Sequence, residues 1–137
     1  MTKEDKELLL KDLSARLPYG VKFKAEDEEC IRVIHYMKDE EVYIREYRNL
    51  PYWIDTIKPY LRSMSSMTKE EKKELQEIAV ALSYNKDDIM IGTQINSFRQ
   101  LDGVLDLFNS HHLDWRGLIE KGLALEAPEG MYNIKEK

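Results

Sequence analysis

The first stretch of the chain repeats its apolar residues with the period of a helix. Residues 3–17 follow Thr2, a residue type that caps helices, and they carry acidic side chains in the first turn. Leucines recur every three or four positions and form one apolar stripe, namely Leu9, Leu10, Leu13 and Leu17. Because the Pro-Tyr-Gly of residues 18–20 opposes continuation, we predict an amphipathic helix over residues 3–17.

The period changes to alternation in the strand region, residues 21–55. Val21, Phe23 and Ala25 alternate with lysines, as in a strand buried on one face. Strands are predicted, with charged turns between them, over residues 21–25, 30–36, 42–45 and, shortest of all, 52–54. Together they form a small antiparallel sheet. A strongly bent, barrel-like sheet is one version of it, because three or four short strands need cover.

Residues 58–67 show no clear period. Pro59 lacks a backbone N–H and a serine-rich stretch follows it, and both features argue against regular structure. We therefore interpret these residues as a connector between the strand region and the rest of the chain.

The helical region covers residues 68–122. Thr68 and Ser97 each open a capping box, T-x-x-E and S-x-x-Q. The two helices that follow carry apolar residues at helical spacing, namely Leu75, Ile78, Ala79 and Leu82, then Leu101, Val104, Leu105 and Phe108. Between them residues 87–94 are ambiguous, and the alternation of Ile89 and Ile91 with Met90 allows a short strand. Asp114 is expected to cap a last helix over residues 115–121, before a tail, residues 123–137.

The predicted fold class is α+β, with an N-terminal helix, a small antiparallel sheet and a helical C-terminal half. The length of 137 residues suits a single domain over residues 1–137. The alternative is two subdomains joined at residues 58–67.

Composition narrows the function. The net charge is −5 and acidic and basic residues are interspersed, which disfavours a general phosphate-binding role. The chain shows no signal-peptide pattern and no apolar run long enough to span a membrane, so we expect a cytoplasmic protein. Cys30 is the single cysteine, which excludes an intramolecular disulfide, and we expect it to be a half-buried core thiol.

Candidate chemistry is sparse. His111 and His112 are adjacent, and adjacent side chains on a helix point in different directions, so we predict no metal site and interpret the pair as a polar helix end. The phosphate-binding, nucleotide-binding, zinc-protease and serine-hydrolase motifs are missing from the sequence. We therefore expect a protein that is not an enzyme and that needs no cofactor.

Two surfaces are candidates for binding. The segment after Leu113 concentrates aromatic, basic and apolar residues, and its candidate partner-contact residues are Trp115, Arg116, Met131 and Tyr132. The alternative is that they close the core. The rival surface is a nucleic-acid contact in the strand region, formed by Arg32, Arg45, Arg48, Tyr43 and Tyr47. We expect an adaptor that contacts an unknown protein partner or forms a homo-oligomer, with nucleic acid as the alternative.

Three stretches together resemble a group of short proteins carried by gut Bacteroidales and their phages or mobile elements. They are LLLKDLSARLPYGV at residues 8–21, KPYLRSMSSMTKEE at residues 58–71 and NSHHLDWRGLIEKGLALEAPEGMY at residues 109–132. That group has no established activity and no catalytic residues to transfer. The resemblance implies an origin and an accessory role in phage or mobile-element biology, and it implies no mechanism.

Overall fold

The computed structural model describes residues 1–80 and 98–132. Helix α1 spans Lys3–Arg16, and the Thr2 hydroxyl accepts a hydrogen bond from the Asp5 N–H at 3.0 Å, which confirms the predicted N-terminal helix. A single 3₁₀ turn, Leu17–Tyr19, follows it. Gly20 then has φ = 71°, a left-handed conformation that favours glycine and turns the chain into the first strand.

A four-stranded sheet forms the centre of the fold. Its strands are β1 (Lys22–Ala25), β2 (Ile31–Val33), β6 (Ile57–Leu61) and β7 (Leu125–Glu126). They lie in the order β2-β1-β6-β7. The first three strands are antiparallel, and β7 adds to β6 in parallel.

A second sheet has three antiparallel strands in sequence order. They are β3 (Tyr36–Lys38), β4 (Glu41–Tyr43) and β5 (Tyr52–Trp53). The predicted single strand 30–36 is thus divided. The Ile34 N–H bonds back to the Val21 carbonyl of the first sheet at 3.1 Å, whereas the His35 N–H bonds to the Tyr43 carbonyl of the second at 2.8 Å. The strand region forms two sheets and not the closed barrel that was considered.

The interpretation of residues 58–67 as a connector without regular structure is wrong for β6, which lies inside the four-stranded sheet. Its burial alternates, with Ile57, Pro59 and Leu61 buried. The Glu26 N–H bonds to the Thr56 carbonyl at 2.9 Å, and hydrogen-bonded pairs alternate along an antiparallel ladder. Pro59 and Phe23 therefore form a non-hydrogen-bonded pair, in which the missing N–H of Pro59 breaks no bond to β1.

The main hydrophobic core lies between α1 and the two sheets. It combines leucines of α1 with residues on the inner faces of the strands, including Leu9, Leu13, Phe23, Val42, Ile57 and Leu61. Ile54, which begins a single 3₁₀ turn after β5, and Leu118, in the turns after α3, complete it. The helix packs on the sheets because both present one apolar face that must leave water.

Two further helices are α2 (Lys69–Val80) and α3 (Phe98–Ser110). The capping box at Thr68 is confirmed: its hydroxyl accepts from the Glu71 N–H at 3.1 Å, and its own N–H donates to Glu71 Oε1 at 2.8 Å. A second core forms where α2 and α3 meet the following loop, and its buried residues are Met67, Leu75, Val104, Leu107, Phe108 and Leu113. The predicted strand 87–94 lies outside the described residues.

The helix predicted over residues 115–121 is wrong, because this segment consists of turns. Asp114 does act as a cap, but its two carboxylate oxygens accept the N–H groups of Leu118 and Ile119 at 2.8 and 2.9 Å. Gly117 has φ = 78°, which a helix does not allow. Among residues 1–80 and 98–132, the predicted helical C-terminal half is represented by α2 and α3 alone.

The segment assigned to a tail enters the fold over residues 123–132. It supplies β7, and the Ala127 N–H bonds to the Leu61 carbonyl at 2.7 Å. Residues 133–137 lie outside the described residues. The expectation of a half-buried thiol at Cys30 is wrong, because Cys30 is exposed in the turn before β2.

Candidate functional site

Trp115 and Arg116 are held by the fold. The indole Nε1 of Trp115 donates to Asn109 Oδ1 at 3.0 Å, and the Arg116 guanidinium lies 4.2 Å from the centre of the Trp115 rings. Arg116 Nε also donates to Asp12 Oδ1 at 3.1 Å, and 14% of the Arg116 side chain is exposed. Both side chains therefore connect the loop after α3 to the rest of the molecule.

Tyr132 is buried. Its ring stacks on His112 with centroids 3.7 Å apart, and its hydroxyl donates to the Tyr60 carbonyl at 2.7 Å and accepts from the Lys22 N–H at 2.8 Å. Met131 is half-buried, and its carbonyl accepts from Lys22 Nζ at 2.8 Å. These positions favour the alternative in which the pair closes the core.

The residues of the predicted nucleic-acid surface are divided between both sheets and a loop. Arg32 of β2 donates to Glu28 at 3.1 Å and lies over the ring of Tyr47 at 5.3 Å. Tyr43 belongs to the three-stranded sheet. Arg45 and Arg48 are exposed in the loop after β4.

The outer side of the three-stranded sheet carries an aromatic face, defined as Tyr36, Tyr43 and Trp53. Tyr36 and Tyr43 are directly opposed, and their rings stack at 4.5 Å with an angle of 1° between them. Trp53 is paired with Glu41, which shares a face with Tyr43 because side chains two positions apart point the same way. The exposed fractions of Tyr36 and Trp53 are 40% and 54%.

Exposed apolar side chains are concentrated in the part of the chain that contains this face. Among the described residues, six of the eight large exposed hydrophobic residues lie between positions 31 and 53. They are Ile31, Val33, Tyr36, Tyr47, Leu50 and Trp53. The alternation of residues 36–38 and 41–43 could have placed Tyr36 and Tyr43 on one face, but only the packing decides which face the core covers.

A buried ionic cluster links α2 to the loops around it. Glu71, which is 1% exposed, accepts two hydrogen bonds from the Arg62 guanidinium, at 2.6 and 2.8 Å. His111 Nδ1 lies 2.6 Å from Glu71 Oε2. Arg62 also donates to the carbonyls of His111 and Ser66, at 3.2 and 3.0 Å. A carboxylate that orients an imidazole is an arrangement that acid–base sites use.

The electrostatics of this cluster fit a structural role. Burial raises the pKa of Glu71, but the hydrogen bonds from Arg62, the Thr68 N–H and His111 outweigh that effect and lower the pKa to about 2. A carboxylate with so low a pKa is a poor base near neutral pH. A cleft of about 570 Å³ opens beside Arg62, and neither Glu71 nor His111 is among the residues that line it.

Glu71→Gln is expected to lower the free energy of unfolding at pH 7 by about 2–3 kcal/mol, because the Arg62 guanidinium loses its charged acceptor. Urea denaturation measures the change. Glu70→Gln is the matched control, since Glu70 is the exposed neighbour in the same first turn of α2. Equal effects of the two substitutions would show that the cluster contributes nothing specific.

A second buried polar cluster lies between α1 and the loop after α3. Asp12 and Arg16 are both fully buried and joined at 2.8 Å, and Arg16 Nη2 donates to the Leu113 carbonyl at 2.6 Å. Within the part of the chain that the structure describes, Arg16 Nη1 and His112 Nδ1 have no hydrogen-bond partner. Burial lowers the pKa of His112 to about 4, and the charge of Arg16 adds to this effect.

No protein-family model, no curated protein and no solved structure matches the chain. Over the described ranges, 1–80 and 98–132, the helices are too short or too polar to cross a membrane. In those same ranges no group of three or more histidine, cysteine, aspartate or glutamate side chains is arranged to hold a metal ion.

Proposed function

We propose that this protein is a non-enzymatic binding module that acts by contacting another protein through the aromatic face. The observation that carries the proposal is the concentration of exposed apolar side chains between residues 31 and 53. Tyrosine and tryptophan are the residue types most enriched among those that dominate binding energy. Exposed aromatic rings that share one side of a sheet, as those of Tyr36 and Trp53 do, are a common mark of a protein contact.

The aromatic face is a better candidate than the segment after Leu113. The polar groups of Trp115, Arg116 and Tyr132 form hydrogen bonds within the chain. Trp53, by contrast, is 54% exposed. A binding residue needs area that a partner can still cover, and Trp53 has it.

The charge on this face supports a protein partner over a nucleic acid. Lys38 and Glu41 are directly opposed on the same side of the sheet, so their charges balance. Single-stranded nucleic acids bind where stacking rings lie in a positively charged groove. The net charge of −5 also opposes a polyanion at long range.

We also propose that the protein is not an enzyme. This proposal is supported by the low pKa of Glu71, which leaves His111 beside a carboxylate that is held in place by Arg62 and a helix cap. This arrangement joins the 62–68 loop to α2.

Trp53→Ala is expected to weaken association with the partner at least about tenfold, because a central tryptophan contributes on the order of 2 kcal/mol to a protein interface. The partner is first recovered with the parent chain from the producing cells and purified, and its affinity for each variant is then measured by calorimetry. Tyr36→Ala is a second variant on the same face. Neither substitution removes a buried side chain, so the fold should persist in circular dichroism.

Trp115→Phe is the matched control, because it changes a tryptophan that packs within the chain and leaves the aromatic face intact. Partner affinity that drops for Trp115→Phe and not for Trp53→Ala would transfer the contact to the C-terminal segment. Salt-dependent binding of a single-stranded oligonucleotide, lost in Arg32→Gln, would favour the nucleic-acid alternative instead.

A further inference from the structure

Within residues 1–80 and 98–132, the side of β2 that faces away from β1 is an open strand edge. The Ile34 N–H bonds to the Val21 carbonyl at 3.1 Å, and hydrogen-bonded pairs alternate along an antiparallel ladder. Arg32 is therefore a hydrogen-bonded position towards β1, and the backbone groups of Ile31 and Val33 point outward. Among the residues that the structure describes, none donates to or accepts from those outward groups.

The side chains at this edge suit strand pairing. Ile31 and Val33 are β-branched and 48% and 46% exposed, and both lie on the outer face of the sheet. Edge strands are commonly protected by prolines, by charged side chains or by being short; β2 has three residues and no proline or lysine, and its one charged side chain, Arg32, lies on the opposite face from Ile31 and Val33. A pair of exposed β-branched residues with outward-pointing backbone groups is a template for an added strand.

Basic side chains lie beside the edge on both faces of the sheet, although the turn before β2, residues 26–29, is acidic. Lys24 and Lys22 are the direct cross-strand neighbours of Ile31 and Val33. Over residues 1–80 and 98–132, neither lysine forms an ion pair with a carboxylate. On the other face, Arg32 uses its Nε for Glu28. In the same ranges its two terminal nitrogens make no hydrogen bond.

We propose that the β2 edge binds an extended segment of a partner protein by strand addition, and that this segment carries an acidic residue between two apolar residues. The inference rests on the proposed protein-binding function and names the chemistry of the partner. The outward backbone groups of Ile31 and Val33 pair with the segment. Its apolar side chains lie beside those two residues on the outer face.

The acidic residue follows from the register. In an antiparallel docking, the partner residue opposite Arg32 occupies a non-hydrogen-bonded pair, in which side chains approach most closely. A carboxylate there meets the terminal nitrogens of the guanidinium, the donor geometry that carboxylates match best. A second copy of this chain paired symmetrically about Arg32 would oppose two arginines, so the charges favour an acidic partner over a homodimer.

A synthetic peptide with a valine–glutamate–valine centre, flanked by glycine and serine and labelled with a fluorophore, tests the proposal by anisotropy. The full chain is expected to bind it, and to bind a valine–lysine–valine control about tenfold more weakly. On binding, hydrogen exchange at the Ile31 and Val33 amides should slow, because they gain acceptors. This exchange readout needs no variant.

Val33→Pro removes one outward N–H and leaves the β1–β2 bonds in place, so it is expected to weaken peptide binding at least about tenfold. Val33→Thr keeps the N–H and the side-chain shape and should bind as the parent does. The proposal is overturned by absence of peptide binding, by unchanged exchange at both amides, or by a folded Val33→Pro variant that binds as tightly as the parent. A dimer that Val33→Pro dissociates overturns it as well.

The two proposals fail separately. If Trp53→Ala abolishes association with the purified partner and Val33→Pro leaves it unchanged, strand addition is overturned and the protein-binding function stands. If Val33→Pro abolishes peptide binding and Trp53→Ala leaves partner affinity unchanged, binding at the β2 edge is supported and binding through the aromatic face is overturned.

Discussion

Replacement of Asp12 by asparagine is expected to lower the free energy of unfolding by about 3–5 kcal/mol, a large part of the stability of a domain this size. Arg16 is fully buried, and the substitution leaves its charge without a counter-charge. The same carboxylate also accepts from Arg116 at 3.1 Å, so two bonds weaken together. Urea denaturation at pH 7 measures the loss.

Arg116→Gln is the control for that result. It removes the partner with the more exposed side chain and leaves the Asp12–Arg16 pair intact, so it should cost only about 1 kcal/mol. The double variant Asp12→Leu with Arg16→Met should recover much of the loss, because apolar side chains can replace a buried ion pair at little cost. An Asp12→Asn variant as stable as Arg116→Gln would contradict a buried, uncompensated charge.

Lowering the pH from about 6.5 to about 4 is expected to cost the folded state about 3 kcal/mol at His112 alone. Burial, aided by the charge of Arg16, lowers the pKa of His112 to about 4 from 6.5. Between these values the unfolded chain binds more protons than the folded one, so stability is lost as the pH falls through this window. His111 and Arg62 also oppose a proton here, while the backbone of Tyr19 favours it.

His112→Phe separates this effect from the titration of other groups. Phenylalanine can keep the stacking on Tyr132 and cannot take up a proton, so the slope of stability between pH 6.5 and 5 should flatten. Glu71 does not interfere above pH 4.5, because its lowered pKa of about 2 places its loss between pH 4.5 and 2. A slope unchanged in His112→Phe would show that another group causes the acid sensitivity.

Local features of the fold are determined by residues that are close in sequence. The cap at Thr2, the leucine stripe of α1 and the capping box at Thr68 are each completed within one or two helical turns. The alternation of residues 21–25 likewise predicts β1. These elements could be predicted because the contacts that define them are close in sequence.

The predictions that were wrong concern features that depend on contacts with residues distant in sequence. Pro59 reads as a breaker, but β6 exists because β1 pairs with one side of it and β7, more than sixty residues later, with the other. Residues 115–121 have a helix-like pattern but form turns, because the Leu118 and Ile119 N–H groups donate to the Asp114 carboxylate. Propensity is a weak prior that such tertiary contacts override.

The sequence by itself determined the mixed helix and strand class, the N-terminal helix and two of the helix starts, because periodicity and capping act over a few residues. Only the tertiary structure decided which side chains remain available for binding. It joined Asp12 to Arg116, 104 residues apart, buried Tyr132 against His112, and left Trp53 exposed and the β2 edge without a neighbouring strand among the described residues. Which residues a fold covers is settled by packing between distant segments, which no local pattern records.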